Sequence, residues 1–260
     1  MPRLDRDGVQ INYEVHGSGP AILLTHGFPA TLESWRGQVG PLSADHTLII
    51  WDMRGHGQSD APDDPAAYSP EATVDDMAAL LDEVGAANAV IGGLSMGGYF
   101  SLAFQHRYPE RVNAMLILGT GPGYRNDEAR EAWNRSAIEK ADRFANEGLA
   151  AGMAVADPPA RSSVHRSALG LAGAARGMLV QRDSAVIDSL GEIAVPALVA
   201  VGEQDERFHR AADYMAAKIP GAQKVVVPGA AHWMQLDQPE FFDRMVLDFL
   251  ARVEEPGAGA

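Results

Sequence analysis

An apolar run that ends on Gly-Leu-Ser-Met-Gly-Gly, in AVIGGLSMGGYF at residues 89–100, constrains this chain more than any other stretch. Its first half reads as a buried strand. Its second half opens a helix with Phe100, Ala103 and Phe104 on one face, halted at Pro109. A strand that becomes a helix within two residues has no room for side chains around the turn. Gly93 and Gly97, two positions either side of Ser95, supply that room. The turn forces Ser95 to positive φ and raises its hydroxyl at the carboxyl end of the sheet, where open α/β sheets bind ligands. A glycine-rich turn with no chemistry is the competing reading. The strand before and the helix after favour a nucleophile.

The same alternation recurs along the chain. Apolar runs stand at 21–26, 47–53, 89–94, 114–118, 197–202 and 224–227. They do not alternate with polar residues, as expected of strands covered on both faces of a parallel sheet. VQINYEV (9–15) does alternate and reads as an antiparallel hairpin strand near one edge. Helical segments lie between, at 69–85 (a Ser-Pro start and a glycine stop), 96–108 and 239–253. Strand then helix, repeated, predicts βαβ units in a doubly wound sheet. Residues 122–187 contain no strand-like run. About 65 residues is more than a crossover needs, so they are expected as a helical layer over the sheet.

A serine hydroxyl is a weak nucleophile until a base takes its proton. Of eight histidines, His232 fits best, in PGAAHWMQ between the last apolar run and the last helix. His46 and His106 read as ordinary surface residues, and His165 sits in the helical insertion. The imidazole needs a carboxylate to fix its tautomer. Asp205, in VGEQDERF after the preceding run, is the candidate, with Glu203 and Glu206 close enough in sequence to substitute. A developing oxyanion needs two donors: the amides of Phe28 (in THGFP) and Met96. Pro29 has no N–H to give.

These motifs resemble the α/β-hydrolase family. HGFP (26–29), DMRGHGQSD (52–60), GLSMGG (93–98), GEQD (202–205) and GAAHW (229–233) follow the family's order and spacing over nearly the whole length. The resemblance implies an α/β-hydrolase fold, with a mostly parallel eight-stranded sheet and a helical cap inserted after the sixth strand. It implies a core of 1–121 and 188–254, a cap of 122–187 and a flexible tail of 255–260. Asp52, Arg54 and His56 become scaffold, and His26 a brace for the oxyanion loop. Dehalogenases and epoxide hydrolases carry aspartate where this chain has Ser95, so serine points to acyl transfer. The nearest branches are 3-oxoadipate enol-lactonases, cofactor-free haloperoxidases (perhydrolases) and bacterial esterases.

The expected activity is therefore hydrolysis of a small-molecule ester or lactone. A perhydrolase, a C–C bond hydrolase and a non-catalytic ligand-binding homologue are the alternatives. No cofactor and no metal are expected. In the insertion, Arg125, Arg130, Arg135, Arg161, Arg166 and Arg176 could hold a carboxylated substrate, though arginines on helices are more often solvated. Trp133, Met153 and Met178 could line an acyl pocket or simply pack. The net charge of −14 argues against nucleic acid and anionic membrane partners. No run approaches 18 apolar residues and the N-terminus has no secretory h-region. With no cysteine, the reading is a cytoplasmic protein, with a homo-oligomer left open.

Overall fold

A computed structural model describes residues 2–254. Eight strands form one sheet: β1 Arg3–Arg6, β2 Val9–His16, β3 Ala21–Thr25, β4 Thr47–Trp51, β5 Ala89–Leu94, β6 Val112–Leu118, β7 Ala197–Gly202 and β8 Gln223–Val227. Their order across the sheet is β1-β2-β4-β3-β5-β6-β7-β8. β1 and β2 form a hairpin across Asp7-Gly8, both at positive φ, and β2 runs antiparallel to β4. From β4 to β8 every pairing is parallel. β1 has no counterpart among the apolar runs: RLDR is a charged edge strand with half of its residues exposed.

The central strands bury both faces, which is why their sequences do not alternate. Leu23, Ile49, Ile91, Met115 and Val199 point to one face, against helices Pro70–Glu83, Met96–Arg107 and Glu206–Lys218. Leu24, Ile50, Val90, Leu116 and Leu198 point to the other, against Trp35 and helix Pro239–Glu254 through Phe242, Val246 and Phe249. Each fully buried aliphatic side chain contributes about 1.5–3 kcal/mol. Local chemistry sets the helix ends. Ser69 Oγ caps Ala72 N–H at 3.0 Å, Pro70 takes the first helical position, and Gly85 ends the turn at φ +71°.

Residues 122–187 hold helix Asp127–Ala154, broken at Gly148 (φ +83°), helix Ala168–Ala174 and a π-helical turn at Ala175–Leu179. No strand interrupts them. They pack on one another through Ala141, Phe144, Leu171 and Ala175, and Phe28 joins that cluster from the tip of β3. Trp133 Nε1–H donates to Leu179 O at 2.7 Å, and Asn134 exchanges two 2.8 Å bonds with the Gln181 backbone. His46 is buried rather than a surface residue; its Nε2 lies 2.9 Å from Glu254 Oε1. The segment 255–260, expected as a tail, lies outside the described residues.

Candidate active site

The carboxyl ends of β3, β5, β6, β7 and β8 converge on one place. Ser95, between β5 and helix Met96–Arg107, has φ +57° and ψ −117°. Its N–H donates to Leu118 O (2.9 Å), and its carbonyl accepts from Thr120 Oγ1 (2.6 Å) and Tyr99 N–H (3.0 Å). The glycines around it are obligatory. A methyl on Gly93 would stand 2.4 Å from Gly97 C, and one on Gly97 would stand 2.1 Å from Thr25 O. The elbow is thus pressed against the end of β3.

His232 follows β8 and Asp205 follows β7. His232 Nδ1 and Asp205 Oδ2 are 2.6 Å apart, and both residues are buried. The carboxylate can only accept, so Nδ1 carries the proton and Nε2 presents its lone pair. Phe208 stacks on the imidazole, with centroids 5.2 Å apart at 20°. Gly119 passes beneath it, where a methyl would sit 3.4 Å from Cε1 and Nδ1. Neither neighbouring acid is bonded to His232. Glu203 Oε2 accepts from Gly229 N–H at 2.8 Å, bracing the histidine loop, and Glu206 opens helix Glu206–Lys218. Ser95 and His232 border the same cavity, with no hydrogen bond joining them; such contacts commonly tighten only when substrate arrives.

Behind the β3 tip lie three histidines. His26 Nε2 accepts from Met53 N–H (3.1 Å), so its Nδ1–H donates to Gly27 O (2.8 Å). His165, from the insertion, accepts from Gly57 N–H at Nδ1 (3.0 Å) and so donates Nε2–H to Pro29 O (3.2 Å). His56 lies between them, with ring centroids 4.9 Å from His26 and 5.9 Å from His165. Burial lowers all three pKa values, His26 and His165 to about 4. The rings stay neutral and hold the loop Gly27–Pro29 from both sides. No acceptor among the described residues takes the N–H of Phe28 or of Met96. Asp52 accepts from Leu32 N–H (2.8 Å), Gln58 N–H (2.9 Å) and Asn12 Nδ2 (2.9 Å), and Arg54 is clamped on Asp76. Both are scaffold.

Two cavities meet at Ser95. The smaller, about 110 Å³, is bordered by Met96, Tyr99, Thr120, Met178 and Phe208. Burial raises the Tyr99 phenol to about 12, so it remains a neutral donor there. The larger, about 360 Å³, is bordered by Phe28, Phe144, Lys140, Arg143, Arg207 and His232. Trp133 borders both, while Met153 packs in the buried cluster of the insertion. None of the six arginines singled out from the sequence borders either cavity. Arg125 pairs with Asp188, Arg130 with Asp127, Arg166 with Asp60 and Arg176 with Asp142. Arg161 donates to Ala156 O, and Arg135 lies on an outer surface with Glu131 and Glu139. Lys140, Arg143, Arg207 and Phe208 went unread, and His165 was only placed in the helical insertion. Only Arg207 and Phe208 carried a signal, their adjacency to Asp205.

Together, fold and site describe a hydrolase. The alpha/beta hydrolase fold family matches residues 20–156 and 143–239, and the chain belongs to that family. A Bacillus subtilis protein, provisionally named 2-succinyl-6-hydroxy-2,4-cyclohexadiene-1-carboxylate synthase, is 32% identical over 95% of this chain and 97% of its own. A thermophilic esterase from Thermogutta terrifontis, solved with malate bound, superposes with a TM-score of 0.85. It has 29% identity and covers 97% of this chain and 99% of its own. The enol-lactonase of Burkholderia xenovorans LB400 gives a TM-score of 0.83 and 26% identity, over 96% of this chain and 100% of its own. Among the described residues, no helix is long and apolar enough to cross a membrane, and no group of three or more His, Cys, Asp or Glu could hold a metal ion.

Proposed function

We propose that this chain is a serine hydrolase that cleaves a carboxylic ester or lactone of a small molecule through an acyl-enzyme. One observation carries the reading: the 2.6 Å His232–Asp205 pair opens onto the cavity that Ser95 borders from a positive-φ turn. In this reading Ser95 Oγ attacks the carbonyl carbon and its proton passes to His232 Nε2. Asp205 holds the Nδ1–H and stabilises the imidazolium. The Phe28 and Met96 amides receive the oxyanion, each such donor typically worth a factor of about 10²–10³. Collapse breaks the C–O bond, and His232 gives its proton to the departing oxygen. Water then repeats the sequence on the acyl-enzyme, releasing the acid and restoring Ser95. Residues 122–187 serve as the cap, closing both cavities over the serine.

The test is hydrolysis of aryl esters from acetyl to decanoyl, by the wild type and by Ser95→Ala. The expected result is an optimum at short acyl length that falls by several orders of magnitude in the variant. Wild-type turnover by Ser95→Ala would overturn the assignment.

A further inference from the structure

Resting on the serine-hydrolase reading, we infer that the preferred substrate is an ester of a short acyl group with a larger, anionic leaving group. The acyl group fills the small cavity, and the leaving group's charge meets Lys140 and Arg143.

The orientation follows from proton transfer. The leaving oxygen must come within hydrogen-bond reach of the acid that protonates it. That acid is His232, which borders the larger cavity and not the smaller. The leaving group therefore lies on the 360 Å³ side. The carbonyl oxygen turns toward the Phe28 and Met96 amides, and the acyl carbons run past Met96 toward Tyr99 and Met178 in about 110 Å³.

The charge follows from the lining. The protein carries a formal net charge of −14, yet three cations border the larger cavity against one carboxylate, Asp157. Asp157 lies 3.6 Å from Arg207, which also reaches Asp205 at 3.4 Å, so these two acids serve the same guanidinium. Lys140 has only the Ser136 hydroxyl, at 2.7 Å, and the Ser136 carbonyl, at 3.4 Å, as acceptors. Among the described residues neither Lys140 nor Arg143 forms an ion pair. The two stand one turn apart on helix Asp127–Ala154, where like charges repel unless an anion lies between them. A carboxylate on the leaving group supplies it; the small cavity has only Arg207, which borders both cavities and is already paired with Asp157 and Asp205.

The experiment compares 4-acetoxybenzoate with its neutral methyl ester. A second pair places the charge on the acyl side: phenyl hydrogen succinate against its methyl ester. The readout is the anionic-to-neutral ratio of kcat/KM, in wild type and in the Lys140→Gln/Arg143→Gln double variant, so that intrinsic reactivity and any general loss of activity cancel. Two solvent-facing charges about 6 Å from a carboxylate together change that ratio about tenfold. The expected result is a fall of that size for 4-acetoxybenzoate and no change for the succinate pair. A ratio unmoved by the double variant, or a fall confined to the succinate pair, overturns the inference. Failure of the hydrolase reading looks different: the neutral acetate would be turned over equally by Ser95→Ala. Independently of turnover, Ser95→Ala should bind 4-hydroxybenzoate more tightly than its methyl ester. The Lys140→Gln/Arg143→Gln changes should erase that preference, and its absence would also overturn the inference.

Discussion

Gly97→Ala isolates the contact between the Ser95 turn and the loop proposed to supply the second oxyanion donor. The added methyl would stand 2.1 Å from Thr25 O, 2.6 Å from Thr25 C and 2.7 Å from His26 O. An ordinary carbon–oxygen contact needs about 3.3 Å, so roughly 1 Å must be found. Neither side yields easily, because both are backbone. Thr25 is paired with Gly93 and with Trp51, and its hydroxyl accepts from Trp51 Nε1 at 3.0 Å. The strain belongs at the upper end of core overpacking, about 3 kcal/mol. For a chain of this size that lowers Tm by roughly 6–12 °C. It also moves the Phe28 amide relative to Met96, and a 1 Å misplacement costs about 10²-fold in kcat. The assays are thermal unfolding and kcat on an aryl acetate. Gly40→Ala, an exposed position whose added methyl meets nothing within 4 Å, is the control. A Gly97→Ala protein with kcat within about threefold of wild type would refute the reasoning, since the elbow would then not set the oxyanion geometry.

Three further outcomes are expected. Asp205→Asn should lower kcat by about 10⁴ while leaving the far-ultraviolet spectrum unchanged; a loss below about tenfold would pass the role to another acid. Asp76→Ala removes a fully buried carboxylate that holds Arg54 (2.6 and 2.8 Å) and Arg6 (3.2 Å), stranding the buried Arg54 guanidinium. It should cost about 3–5 kcal/mol in urea unfolding, and an unshifted midpoint would contradict this. Stability should also drain in mild acid. His26 and His165 titrate near 4 when folded and near 6.5 when unfolded, so between those values the unfolded chain binds more protons. Their contribution is complete above about pH 6.5 and is lost as pH falls toward 4, roughly 3 kcal/mol per ring. Urea midpoints against pH measure it, and His165→Gln should flatten the slope; an unchanged slope would remove His165 from the account.

Much of this was legible in the chain because burial and backbone geometry leave local marks. The seven strands with hydrophobic character announce themselves; β1 does not, because an edge strand written RLDR keeps its charges in water. Ser95, Asp205 and His232 each follow an apolar run, and a parallel sheet brings all such positions to one edge. Side-chain partners across large sequence separations leave no such mark. His165 meets Pro29 from 136 residues away. Lys140 and Arg143 face the cavity only because helix Asp127–Ala154 packs on the tip of β3, where Phe144 meets Phe28. The six arginines singled out in the insertion follow the solvated alternative, since four of them have carboxylates nearby in the fold.

The order of these parts along the chain has a temporal consequence. Ser95 lies where β3, β5 and β6 pair, but the base proposed for it follows β8, the last described strand and the far edge of the sheet. Under the proposed mechanism, no shortened chain ending before residue 232 carries out the reaction, however well its central strands have formed. A growing polypeptide therefore stays chemically silent until residue 232 has been made. In refolding of a variant that keeps Trp51 as its single tryptophan, fluorescence reports the central sheet, whereas ester turnover reports closure of its far edge. The interval between the two signals times the docking of β8.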